Sequence, residues 1–190
     1  MALIRLYMTI SLDGYVTGPH DSADTPLGIG GFRLFNWLDR RSDPGPSGQV
    51  FTEAMSTRAV ISGRRTYELA GRWQGDHHDG VPIWVLSRRE PGIDVGEWPL
   101  VTYVNDVGTA MSEAKRAAGE KNVLVHGAAT AQLALAAGVL DELEIHLIPV
   151  LFGQGRRLFE GLAAEQIELE RTRVLEGEAG VTHLHYRVQR

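Results

Sequence analysis

From residue 51 onward the sequence alternates short apolar, β-prone runs with stretches of helical period, and this alternation limits the fold more than any single motif does. "FTEAMST" reads as helix, "RAVIS" as strand, "RRTYELAGRW" as helix, "VPIWVLS" and "LVTYV" as strands, and "DVGTAMSEAKRAAGE" as a helix capped by Asp106. "NVLVHG" follows as strand, "AATAQLALAAG" as a helix closed by Gly138, and "DELEIHLIPVLFG" as strand. Strands separated by helices in this way build βαβ units, so the chain is expected to be α/β with a mostly parallel, twisted sheet. "IELERTRVLEGEAGVTHLHYRVQ" breaks the pattern, because two alternating runs joined by "EGEAG" predict an antiparallel hairpin closing one sheet edge.

The first fifty residues are less regular. "LIRLYMTI" reads as a first strand and "DG" at 13–14 as its turn, whereas the Gly, Pro, Asp and Thr of residues 17–31 predict a mobile surface loop. "FRLFNWLDR" has roughly helical spacing, and "RSDPGPSGQ" reads as a second loose stretch. With 190 residues and no repeat or linker, one domain over 1–190 is expected, large enough to bury roughly 70% of its unfolded surface. A net charge of −5 argues against nucleic acid as a partner. The absence of cysteine removes thiolate chemistry and fits a reducing compartment. No secretory signal is read at the start, and no apolar run reaches the ~20 residues of a membrane span, so a cytoplasmic location is the expectation.

In open α/β sheets ligands bind beyond the carboxyl ends of the strands. Three predicted strand ends stand out: "RAVIS" runs into Gly63, Arg64, Arg65 and Thr66, "VPIWVL" ends at Leu86 and runs into Ser87, Arg88 and Arg89, and "NVLVH" ends at His126 before Gly127, Ala128, Ala129 and Thr130. Arginine forks and hydroxyls suit a terminal phosphate, and a small-residue turn opening a helix suits a pyrophosphate. The competing reading of each arginine pair is a solvated surface cluster. "GIGGFR" and "GQGRRL" match neither G-x-G-x-x-G nor a Walker loop, so a nucleotide would need another arrangement.

"MTISLDGYVTG", "SGRRTYE", "VLSRR" and "VHGAATAQLALAAGVLDELEIHLIPVLFGQGRRLFEG", in this order and spacing, resemble the dihydrofolate-reductase-like fold family. The resemblance is to the branch that contains the reductase domain of bifunctional riboflavin-biosynthesis enzymes, over roughly residues 3–160. It implies a three-layer fold and an NADPH-dependent reductase acting on a small, heterocyclic substrate, assembled as a homodimer. Arg64, Arg65, Thr66, Ser87 and Arg88 would surround the 2′-phosphate, Gly127 to Thr130 the pyrophosphate, and the backbone near Thr9 and Val16 the nicotinamide. Gly153 and Gly155 would border the substrate pocket, with Arg156 and Arg157 facing a substrate phosphate or a partner subunit. The chain departs from the family in having Ala128 where a second glycine is common. It also lacks an acid among "GGFRLFNWL", where folate reductases carry one; only Asn36 and then Asp39 are near.

Other candidates admit two readings each. Asp13 either orients a polar substrate or shapes its Asp-Gly turn. Phe32, Phe35 and Trp37 either wall a pocket for a flat heterocycle or pack as core. His77 and His78 lie in "GDHHDG", a polar loop, and adjacent side chains are poorly placed to share one metal; no metal site is expected. His183 and His185 share one face of the last strand, which reads as solvated. His126 reads as a core or supporting histidine that could also touch a ligand.

Overall fold

The computed structural model describes residues 2–89, 98–162 and 166–189. Its strands are β1 (Ile4–Ser11), β2 (Ala59–Gly63), β3 (Ile83–Leu86), β4 (Val101–Val104), β5 (Val123–His126), β6 (Glu142–Ile148), β7 (Leu169–Glu176) and β8 (Thr182–Val188). They form one sheet in the order β4-β3-β2-β5-β1-β6-β8-β7. Every pairing from β4 to β6 is parallel, and β8 and β7 join antiparallel, as the alternating run at the end of the sequence predicts.

The central strands are apolar on both faces, as strands covered twice must be. In β5, Val123 and Val125 pack with Ile4, Leu6, Met111 and Ala114, while Leu124 between them packs with Val60, Val85 and Tyr67. Helices α3 (Val107–Ala118) and α4 (Ala128–Ala136) cover the first face. Helix α1 (Pro46–Met55), α2 (Arg64–Leu69) and a 3-10 helix over Gly31–Arg40 cover the second. This is the expected three-layer α/β arrangement. Asp106 caps α3 through the backbone N–H of Thr109, and Gly138 follows α4 with φ of 64°.

Several local expectations are revised. Helix α1 begins at Pro46, inside the stretch read as loose; proline has no N–H to lose at a helix start, so "PGP" opens the helix. The helix predicted over "RRTYELAGRW" ends at Leu69, because Gly71, Arg72, Trp73 and Gln74 all adopt positive φ. Residues 17–31 are fastened by backbone bonds from Gly18 to Leu27 and from Ile29 to Pro19. His183 is not on a solvated face: it is fully buried, with Nδ1 at 2.8 Å from His146 Nδ1 and Nε2 at 3.3 Å from Ser47 Oγ. His185 lies 3.4 Å from Glu142 with its side chain only 12% exposed. The alternation does place both on one face, and α1 and the 3-10 helix cover that face.

Candidate active site

The parallel register brings the three expected strand ends side by side. Gly63 of β2 stands opposite Leu86 of β3, and Ser62 of β2 opposite His126 of β5. A cleft of about 760 Å³ opens above them. Thr9, Val16, Phe32, Phe35, Gly63, Arg64, Arg65, Thr66, Leu86, His126, Gly127, Ala128, Ala129 and Thr130 border it together. Residues separated by more than a hundred positions thus meet because β1, β2 and β5 are neighbours.

The floor of the cleft is made by two helix starts. Gly63 precedes α2 and Gly127 precedes α4, and neither helix has a side-chain cap or an acidic residue in its first turn. A helix leaves its first N–H groups without an intrahelical acceptor, and at the start of α4 those of Ala128, Ala129 and Thr130 can meet an anion. The two turns interlock. A Cβ on Gly127 would stand 2.7 Å from Thr66 Oγ1, and one on Gly63 would stand 2.9 Å from Thr130 Oγ1. Gly127 also has φ of 98°, which only glycine adopts without strain. Ala128 already belongs to the right-handed turn of α4, so its methyl is accommodated where a second glycine is common in the family. Thr130 Oγ1 is buried without a hydrogen-bond partner at this helix start.

The arginines have carboxylate partners. Arg64 Nε lies 2.6 Å from Glu68 Oε1, four residues on. Arg65 and Arg156 grip the same Asp21 oxygen at 2.6 and 2.7 Å, which ties residues 17–31 across the cleft mouth. Burial pushes the Asp21 carboxyl up, and the hydrogen bonds from Arg156 and Arg65 more than offset it, so it titrates below the ordinary range. Arg157 lies over the Tyr15 ring, 4.6 Å from its centroid.

Asp13, Ser87, Arg88, Arg89, Gly153 and Gly155 stand off the cleft wall. Ser87 is engaged with the Arg89 backbone, and Arg88 and Arg89 are exposed. Asp13 accepts hydrogen bonds from Ser11 Oγ, Phe152 N and Gly153 N, which hold its carboxyl at about 2, with the Ser11 bond the largest cause. Its contacts match the turn-shaping reading and fasten the 152–153 backbone to the β1 turn. Gly155 packs against the Thr17 carbonyl so closely that no Cβ would fit. Trp37 is buried and donates to Thr9 Oγ1 at 3.2 Å, whereas Phe32 is 69% exposed at the rim.

Among the wall residues not anticipated from the sequence are two aromatic rings from one loop. Trp73 and His77 enter the wall from the loop after α2, and the His77 and His126 rings meet edge to edge, with centroids 5.0 Å apart and planes 30° from parallel. Only the reversal at Gly71–Gln74 turns "GDHHDG" inward, and helical periodicity gives no sign of that reversal.

The chain belongs to the RibD C-terminal domain family, which it matches over residues 2–182. A protein from Shewanella sp. PV-4 assigned to riboflavin biosynthesis is similar over 100% of both chains, with 22% identity and a TM-score of 0.75. A pyrimidine reductase-like protein from Corynebacterium diphtheriae is similar over 100% of this chain and 92% of its own, with 14% identity and a TM-score of 0.64. A diaminohydroxyphosphoribosylaminopyrimidine deaminase/5-amino-6-(5-phosphoribosylamino)uracil reductase from Thermotoga maritima matches 99% of this chain and 57% of its own, with 12% identity and a TM-score of 0.66. At these identities the likeness is one of fold. A search of curated proteins returns no significant match. Among the described residues no helix is long and apolar enough to cross a membrane, and no group of three His, Asp or Glu side chains is placed to hold a metal ion.

Proposed function

We propose that this protein is an NADPH-dependent reductase of a small heterocyclic substrate, with 5-amino-6-(5-phosphoribosylamino)uracil as the first compound to test. The observation that carries the reading is the pair of interlocked, uncapped helix starts at Gly63 and Gly127 on the floor of one cleft, with the unpartnered Thr130 hydroxyl beside them. These groups fit a pyrophosphate along Gly127 to Thr130: the N–H groups of Ala128, Ala129 and Thr130 are donors, and the glycine, whose own N–H is given to Met8 Sδ, leaves room for a close approach. A reduced nicotinamide, when bound, supplies a hydride.

The chain's own residues do the rest. Arg64, Arg65 and Thr66 would hold the 2′-phosphate, for which Arg65 must share or release Asp21. The backbone at Thr9 and Val16 would bound the nicotinamide. Phe35, Trp37 and Leu38 give the facing wall its apolar character and exclude water from it. Asn36 and Asp39 are exposed and lie off the cleft, so turnover of dihydrofolate is not expected. The homodimer implied by the family resemblance is part of the same proposal and is read by light scattering.

The cofactor preference tests this reading. Arg64→Ala and Arg65→Ala should each weaken NADPH by about 10- to 100-fold, the range of a hydrogen bond to a charged group, and leave NADH nearly unchanged. Equal loss for both cofactors in a titration would remove the 2′-phosphate assignment.

A further inference from the structure

We infer that His77, His78 and His126 act as one proton-storing unit in the cleft wall, and that His77 hands a bound substrate the proton that accompanies hydride transfer; the second half rests on the reductase reading. The three rings need more protons than they hold when neutral to satisfy their hydrogen bonds. His126 Nδ1 lies 3.2 Å from the Tyr7 carbonyl, and His78 Nε2 lies 3.2 Å from the Thr57 carbonyl. Carbonyls only accept, so both ring nitrogens must carry hydrogen. Thr57 Oγ1, 3.4 Å from His78 Nε2, gives its own proton to the Ala54 carbonyl and cannot reverse that assignment.

The neutral outer rings then have only lone pairs to offer, at His126 Nε2 and His78 Nδ1. His77 stands between them, with Nε2 at 3.1 Å from the first and Nδ1 at 2.7 Å from the second. Neutral His77 has one N–H and satisfies one contact, leaving lone pair against lone pair at the other. All four contacts are satisfied only when the three rings hold four protons. A second histidine cluster in the same molecule does not have this property. There, His183 Nε2 can donate to Ser47 Oγ, which itself donates to Glu178, and His146 Nδ1 can donate to His183 Nδ1, so two rings close two contacts with two protons.

Burial favours the neutral rings, so the fourth proton is taken up only where closing both N···N contacts offsets that cost. Burial pushes His77 down to about 2, with His126 and His78 adding to the shift, and burial pushes His126 down to about 4. Only the hydrogen bonds oppose this. The groups packed on the rings are Trp73, Tyr7, Thr57 and the rings themselves, and among the described residues no carboxylate hydrogen-bonds to any of them. A proton kept by geometry against desolvation is available to a ligand, and both His77 and His126 border the cleft.

A reduced nicotinamide, when bound, would supply a hydride to the carbon of a C=N or C=O group of the substrate. The π pair moves to the heteroatom and takes the proton from His77 Nε2, whose N–H electrons stay on nitrogen. The nicotinamide is oxidised, the substrate is reduced, and neutral His77 regains a proton from water.

Two measurements decide this separately. Ring ¹H–¹⁵N correlation spectra of ¹⁵N-histidine protein at pH 7, with and without NADP+, should show four protonated nitrogens among the six of His77, His78 and His126 in at least one state, the signals being assigned by their loss in His77→Gln, His78→Gln and His126→Gln. Only three protonated nitrogens, one per ring, in both states overturn the proposal whether or not the protein is a reductase. In NADPH oxidation with 5-amino-6-(5-phosphoribosylamino)uracil, His77→Gln should lower kcat by at least about 100-fold, the usual worth of a general acid, and flatten the alkaline limb of the pH profile. Its thermal shift with NADPH should persist. An unchanged kcat would overturn the donor role. His78→Gln, which keeps the His77 ring, should lose kcat in the same direction but by less, and normal turnover there would equally count against the relay. Failure of the wild type to bind NADPH would remove the reductase reading instead, and the spectra would still decide the proton count.

Discussion

At the scale of single residues, Gly127 is where fold and proposed function depend on one atom's absence. It holds φ of 98° at the start of α4, and a Cβ there would meet Thr66 Oγ1 at 2.7 Å. Gly127→Ala should therefore lower stability by about 2 kcal/mol through backbone strain. It should also weaken NADPH, because the two helix starts would be pushed apart; a denaturant melt and a cofactor titration on the same sample check both effects. A variant as stable as the parent would mean that the turn relaxes freely. The arginine pair that stands out in "SGRRTYE" has a different lesson. The sequence places one acid, Glu68, within reach of Arg64. Asp21, the partner of Arg65, lies 44 residues away and is joined to it by the fold alone.

At the scale of elements, the sheet was legible because alternation of apolar and polar positions is a local property. β7 and β8, the parallel strands and the start of the Gly127 turn are written in short windows, and so are Asp106 and Gly138 at the helix ends. What packs on an element is not local. The face carrying His183 and His185 reads as solvated because nothing in β8 itself announces that α1 and the 3-10 helix lie over it. The same face holds Arg173, which reaches from β7 to Glu53 of α1 at 2.7 Å and to buried Glu144 of β6 at 3.1 Å. Burial pushes Glu144 up, and Arg173 offsets part of that shift. Arg173→Ala would strand the Glu144 carboxylate and should cost about 2–3 kcal/mol, less than a fully buried pair because the arginine is partly solvated. Arg173→Ala combined with Glu144→Gln should recover part of the loss in a melting experiment, and no recovery would show that Glu144 is not the strained partner.

At the scale of the whole molecule, the cleft exists because strand order converts distant sequence into neighbours. The Gly63 and Gly127 turns belong together only once β2 and β5 are adjacent, whereas the inward turn of His77 depends on positive-φ residues that periodicity cannot report. The molecule should also lose stability on mild acidification. Burial holds His183 down to about 4 and drives His146 well below its ordinary range, helped by His183. The unfolded chain takes up protons near 6.5 that these native rings refuse, so their contribution is complete above about pH 7 and is lost as pH falls toward 4. Glu144, raised by burial, works in the opposite direction, so a comparison of variants isolates the effect. His183→Gln should reduce the slope of unfolding free energy between pH 6.5 and 4 by up to about 1.4 kcal/mol per pH unit, the value for one proton. An unaltered slope would mean that His183 titrates normally.

The central claim, that the cleft above β1, β2 and β5 is an NADPH site, meets its most direct test in the melting temperature of the protein as NADPH and NADH are added. A native-state ligand at a hundred times its Kd adds about 2.7 kcal/mol. The melting temperature should rise with NADPH at hundreds of micromolar, rise less with NADH at the same concentration, and respond nearly equally to the two in Arg65→Ala. A melting temperature that NADPH leaves unchanged would contradict it.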